Sequence, residues 1–158
     1  MLPKRKNIRL QDWDYRTSGH YFVTICTHER QCLFEDETFR QIATQLLLTI
    51  PQWSHSGVGL DEWVVMPNHL HAIFELTGNS VGLGNVIGSY KALVTRRIYG
   101  LLPAGKPIIW QRGYYERIIR NERELTAIRK YILQNPDQWQ QDKNNLERLI
   151  EKMDYRNH

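Results

Sequence analysis

Apolar positions along this chain recur with two different periods, and the switches between them predict the order of elements. His20-Tyr21-Phe22-Val23-Thr24-Ile25-Cys26-Thr27 is rich in β-branched and aromatic residues and predicts a central strand. Phe39, Ile42, Ala43, Leu46, Leu47 and Ile50 fall at helical spacing, which predicts an amphipathic helix over residues 37–53 with Asp36 as its cap. Pro51 bends that helix or ends it early. After the turn Ser56-Gly57-Val58-Gly59, Leu60 to Met66 predicts a second strand and His69 to Leu76 a third. The short Pro67-Asn68 link makes these two an antiparallel hairpin. Val86, Ile87, Tyr90, Leu93, Val94 and Ile98 predict a second helix over 85–99. A Gly/Pro loop, Gly100 to Pro107, leads through Ile108-Ile109-Trp110 into a fourth strand over 113–120. Asn121 with Glu124 forms a capping box for a third helix, whose apolar stripe is Leu125, Ile128 and Ile132. Asn135-Pro136 is expected to end it, since a residue before proline avoids helical geometry. Residues 137–152 predict one more helix, docked by Trp139, Leu146, Leu149 and Ile150.

The order β-α-β-β-α-β-α is that of an α+β, ferredoxin-like split βαβ fold. It implies a four-stranded antiparallel sheet with helices packed on one face and the other face free to meet a ligand. There is no repeat and no internal boundary, so residues 1–158 are expected to form a single domain. A polar, basic arm over residues 1–19 precedes it, and the helix 137–152 closes it.

Composition changes this picture only through its distribution. The 158 residues carry a net charge of +4, which permits an anionic partner without demanding one. Lys4, Arg5, Lys6 and Arg9 lie in the arm, Lys91, Arg96 and Arg97 in the second helix, and Arg112, Arg117, Arg120, Arg123, Arg129 and Lys130 in the C-terminal third. Trp110, Tyr114, Tyr115 and Tyr131 are interleaved with them, a pattern that fits a nucleic-acid face as well as plain solvated surface. Cys26 and Cys32 match no zinc spacing and are expected to be buried free thiols in a reducing cytosol. No window is long and apolar enough to span a membrane, and the N-terminus lacks a signal-peptide core, so a cytoplasmic protein is expected.

The candidate chemistry begins with His69 and His71. On a strand, residues i and i+2 share a face, so the two imidazoles project side by side about 7 Å apart at ~3.3 Å per residue. Such a pair holds a cation, or is simply two polar residues on a sheet. Tyr131 and Asn135, four apart, share one face of the third helix. Gly82, Gly84 and Gly88 lack the following Lys-Ser/Thr of a phosphate-binding loop.

Four stretches taken together resemble a known family. They are Tyr21-Phe22-Val23-Thr24-Ile25-Cys26-Thr27, Val64-Val65-Met66-Pro67-Asn68-His69-Leu70-His71, Trp110-Gln111-Arg112-Gly113-Tyr114-Tyr115-Glu116 and Arg129-Lys130-Tyr131-Ile132-Leu133-Gln134-Asn135-Pro136. In this order and spacing the chain resembles the IS200-like Y1 (HUH) transposases, over roughly residues 15–140, and most closely their REP-associated tyrosine transposase branch. The resemblance implies a single-strand DNA endonuclease and strand-transfer enzyme acting on DNA hairpins. It implies His69 and His71 as a metal pair, Tyr131 as nucleophile, and Asn135 as third ligand with Gln134 as second choice. It also implies that Lys91 and its helix help bind a hairpin and that the arm at Lys4 to Arg9 reads its base. Arg117 departs from the pattern, because many relatives carry histidine there.

The chemistry is consistent with that reading. A divalent cation, Mg²⁺ or Mn²⁺, neutralises charge on a scissile phosphate. A tyrosine phenol, with a pKa near 10, needs that help to act at neutral pH. Attack leaves a 5′-phosphotyrosine and a free 3′-OH, so the bond energy is kept for rejoining. DNA contacts are expected from Lys4, Arg5, Lys6, Lys91, Arg96, Arg112, Arg117 and Arg120, with Tyr114, Tyr115 and Trp110 as exposed stacking surfaces. A monomer and a homodimer both fit. Two alternatives stay open: a domesticated protein that binds structured single-stranded DNA without cutting, and an RRM-like RNA-binding sheet, although the RNP1 pattern is absent.

Overall fold

The computed structural model describes residues 19–53, 57–77, 82–138 and 145–157. Its strands are β1 (Gly19–Cys26), β2 (Val58–Met66), β3 (His69–Leu76), β4 (Tyr114–Ile119) and β5 (Asp154–Arg156). Its α-helices are α1 (Glu37–Thr49), α2 (Leu83–Tyr99), α3 (Glu122–Gln138) and α4 (Asn145–Ile150). The basic arm with Lys4, Arg5 and Lys6 lies outside the described residues.

The sheet order is β2-β3-β1-β4-β5, and neighbouring strands are antiparallel throughout. Its first four strands are the expected split βαβ sheet, with β3 in the interior between β2 and β1. The short edge strand β5 is an addition that no periodicity announced. It pairs Tyr115 with Tyr155 and is anchored by Arg156 Nε on Glu116 Oε2 at 2.9 Å.

Local signals set most of the boundaries. Asp36 Oδ1 accepts from Phe39 N at 3.0 Å and caps α1. α1 ends at Thr49, and Ile50–Gln52 tightens into a 3-10 turn at Pro51. Asn121 Oδ1 accepts from Glu124 N at 2.8 Å, while Glu124 Oε1 reaches back to Arg120 N at 2.9 Å, so the capping box closes one residue early. The link between Met66 and His69 is the two-residue turn Pro67-Asn68.

Alternation along the strands produces two apolar layers, and here the expectation of helices on one face is corrected. Tyr21, Val23, Ile25, Leu70, Ala72 and Phe74 pack with α1 and α2 in the larger core. Phe22, Cys26 and Ile73 point the other way and pack with Leu125 and Ile132 of α3 and with Leu146 and Ile150 of α4. The face expected to be free is therefore covered. This removes the open sheet platform that an RRM-like reading needs.

Three further expectations are corrected. α3 does not stop at Asn135 but runs through Pro136 to Gln138. Asn135 is buried, and that packing outweighs the local preference against helix before proline. The expected helix over 137–152 is replaced by the end of α3 and the short α4, followed by β5; residues 139–144 lie outside the described residues. Cys26 is buried as expected, whereas Cys32 is exposed.

Candidate active site

The covered sheet face carries the site. Thr24 of β1 and His71 of β3 are paired in register, and His69 pairs with Cys26. Both histidines are buried. Their rings lean together to a centroid separation of 4.6 Å, closer than the backbone rise alone would place them. The ring of Tyr131, half-buried on α3, lies edge-on to His71 at 5.5 Å and to Phe22 at 6.4 Å.

Hydrogen bonds define which nitrogen of each imidazole is occupied. Asn68 Nδ2 donates to Arg30 O at 3.4 Å, which orients the amide so that Oδ1 faces His69 Nδ1 at 2.8 Å. A carbonyl oxygen only accepts, so His69 Nδ1 carries the proton and Nε2 the lone pair. Thr24 Oγ1 donates to Met153 Sδ at 3.6 Å and lies 2.8 Å from His71 Nδ1. With its single proton directed at sulfur, the hydroxyl accepts from His71 Nδ1, again leaving the lone pair on Nε2. That Nε2 is buried without a partner. Burial, then the charge of Arg30, pushes His69 down to about 3; burial, then His69, holds His71 well below the usual range. Both rings are thus neutral near pH 7 and keep their lone pairs.

These donors fit a divalent cation. Two imidazole nitrogens are aligned by partners on their other ring nitrogens, the arrangement that ligating histidines adopt. No cluster of three His, Cys, Asp or Glu side chains exists among the described residues, so a third ligand drawn from them is of another type. Asn135, one turn beyond Tyr131 on α3, is buried with its Nδ2 unpartnered, and a cation would be taken by its Oδ1. Gln134 is exposed.

The residues expected to touch DNA divide sharply. Lys91 is buried, and its ammonium donates to Gln111 O at 3.0 Å and Gly113 O at 2.9 Å. Tyr114 and Trp110 belong to the core, and Trp110 Nε1 donates to Lys91 O at 3.1 Å; neither is the exposed stacking surface expected of it. Tyr115 is half-buried and accepts from Gln111 Nε2 at 3.0 Å. Arg96 is exposed and lines an open cleft of about 620 Å³ with Lys106, Tyr99 and Trp110. Arg112 bonds Asn157 Oδ1 at 2.9 Å, Arg117 pairs with Glu124 at 2.9 Å, and Arg120 is exposed at the start of α3. Thr24 and Asn68, which orient the histidines, had only faint signals: a hydroxyl in an apolar strand and an amide in the turn just before His69.

Comparison with known proteins bears on the family and the fold. Residues 15–135 match the family model described as Transposase IS200 like. An uncharacterized protein of Haemophilus influenzae (strain Rd) is 34% identical over 170 residues, covering 87% of this chain and 91% of its own. A provisionally named REP-associated tyrosine transposase of the same organism is 23% identical over 131 residues, covering 78% and 73%. Among solved structures, a REP-associated tyrosine transposase bound to a REP hairpin superimposes with a TM-score of 0.65 at 22% identity, covering 80% of this chain and 71% of that one. A provisionally assigned transposase of Deinococcus radiodurans R1 gives 0.53 at 21% identity, covering 77% and 92%. At those identities the two structures speak for the fold alone, and the family assignment rests on the match over residues 15–135: the chain belongs to the IS200-like transposases.

Proposed function

We propose that this transposase-family chain is a divalent-metal-dependent single-strand DNA endonuclease and strand transferase that acts on DNA hairpins. The observation that carries the reading is the juxtaposition of Tyr131 with two neutral, pre-oriented histidines, His71 at 5.5 Å and His69 beside it at 4.6 Å. The hairpin is proposed as substrate because the REP-associated structure that shares this fold is bound to one.

His69 and His71 would hold Mg²⁺ or Mn²⁺ through Nε2, with Asn135 as third ligand. The bound ion supplies Lewis-acid stabilisation of charge on the scissile phosphate. Asn68 and Thr24 keep both imidazoles in the lone-pair-outward tautomer. Phe22 packs edge-on against the half-buried ring of Tyr131, which lies against the apolar cluster under α3. Tyr131 Oη attacks phosphorus, the P–O3′ bond breaks, and the 3′ oxygen leaves as a hydroxyl after taking up a proton. A 5′-phosphotyrosine remains, which another 3′-OH reverses.

The test is a hairpin oligonucleotide carrying single-stranded flanks, incubated with the full chain and Mn²⁺. A denaturation-resistant protein–DNA adduct is expected, lost with chelator and lost in Tyr131→Phe. Hairpin binding with no adduct under any divalent ion would instead establish a binding protein that does not cut.

A further inference from the structure

Two consecutive non-glycine residues, Glu29 and Arg30, hold left-handed backbone conformations, with φ of 52° and 57°. L-residues rarely adopt that region, and it persists only where surrounding contacts over-determine it. Such contacts are present. Thr27 Oγ1 donates to Gln31 O at 2.7 Å, and Asn68 Nδ2 donates to Arg30 O at 3.4 Å. Asn68 also accepts the Nδ1 proton of His69. One amide therefore ties the backbone of Arg30 to the first metal-pair histidine.

The guanidinium is only partly committed. Nη1 donates to Gln111 Oε1, Nη2 meets Glu147 at 2.9 Å, and Nε is buried without a partner. Gln111 also donates to the Tyr115 hydroxyl, and Tyr115 lies opposite Thr24 in the sheet. Arg30 follows the end of β1 by four residues, and the strand's last residue, Cys26, lies opposite His69 in the sheet. Glu147 is 60% exposed on the short helix α4, so its carboxylate is free to give way to another anion.

We infer that Arg30 is a catalytic residue that binds a non-bridging oxygen of the scissile phosphate, at the position where the Glu147 carboxylate now sits. The inference rests on the proposed cleavage reaction. As Tyr131 Oη bonds to phosphorus and the P–O3′ bond lengthens, negative charge builds on the phosphoryl oxygens. A guanidinium fork fixed before substrate arrives neutralises that charge without reorganising. The left-handed turn and the Asn68 amide hold the Arg30 backbone beside His69.

The test measures adduct formation and hairpin affinity for wild type, Arg30→Gln and Arg30→Lys. Arg30→Gln is expected to slow adduct formation by roughly 10²–10³-fold, in line with the loss of one fixed donor to a transition-state oxyanion. Hairpin affinity is expected to stay within about twofold, since one phosphate contact among many is lost. Arg30→Lys is expected to recover part of the rate. On a hairpin whose scissile linkage is an uncharged methylphosphonate, the ratio of wild type to Arg30→Gln is expected to shrink toward one. Glu147→Gln cuts the same ion pair but spares the guanidinium, and it is expected to lose far less. An Arg30→Gln rate equal to wild type, an equal loss on both linkages, or an equal loss in Glu147→Gln would each overturn the inference alone. A wild-type chain that forms no adduct with any divalent ion overturns the cleavage reading, and this inference with it.

Discussion

Arg129 grips Asp61 with two parallel bonds, Nε to Oδ1 at 2.8 Å and Nη2 to Oδ2 at 2.7 Å. Asp61 lies in the bulge that shifts the β2–β3 register between Leu60 and Trp63, and the bulge turns its carboxylate toward α3. Arg129 precedes Tyr131 by two residues, so the pair pins the tyrosine's helix to the edge strand of its own sheet. Arg129, by its side-chain bonds first, holds the Asp61 carboxyl below the usual carboxylate range.

Asp61→Ala should loosen the middle of α3 while leaving the histidines untouched. Adduct formation is expected to fall on the order of 10-fold or more, because small displacements of a reacting group are costly. Hairpin affinity is expected to hold. An unchanged rate in a single-turnover assay would show that the apolar seam alone positions the helix.

α3 packs on the sheet of its own chain, which sets the proposed nucleophile beside the proposed metal pair of the same polypeptide. Mixing His71→Ala with Tyr131→Phe is therefore expected to yield no adduct. Recovery of activity in the mixture would mean that the tyrosine serves a partner's histidines.

Burial depresses both histidines, His69 to about 3. The unfolded value is near 6.5, so between the two the unfolded chain binds more protons than the folded one. The sign follows: this contribution to stability is full above about pH 6.5 and is lost as pH falls toward the folded values. Melting temperature should drop across pH 6.5 to 4, and His69→Gln/His71→Gln should flatten the slope. The same slope in that double variant would contradict the assignment.

Thr24→Val removes the partner that orients His71 Nδ1. It is expected to weaken Mn²⁺ binding by about 10–100-fold, the usual effect of losing a partner behind a ligand. Asn135→Ala should weaken it as well, and Gln134→Ala should not. Calorimetric titration of Mn²⁺ into the four proteins checks this; a Gln134→Ala loss with Asn135→Ala intact would reverse the choice of third ligand.

Lys91→Met leaves the carbonyls of Gln111 and Gly113 without their donor. Charge-assisted bonds contribute about 1.5–3 kcal/mol each, and removing the ammonium's own desolvation cost offsets part of the two, so a stability loss of roughly 2–4 kcal/mol is expected in urea unfolding. Hairpin affinity of the folded variant should match wild type. A large affinity loss at unchanged stability would restore the DNA-contact role that its sequence neighbourhood suggests.

Local chemistry was sufficient for much of this protein. The β-branched run at Tyr21–Cys26, the helical spacing of Phe39 to Ile50, the Pro67-Asn68 turn and the Asn121/Glu124 cap each act within a few residues, so their outcome is written in the neighbouring side chains. The same holds for His69 and His71, whose shared face follows from the two-residue period of a strand. Tertiary structure alone decided the rest, because it depends on contacts between distant residues. Burial of Asn135 carries α3 through Pro136 and over the second sheet face. Two distant carbonyls draw Lys91 into the interior and remove it from the surface its charge suggested. Asn68 and the turn after β1 bring Arg30 to His69 across 39 residues of chain, a proximity that no period or spacing encodes.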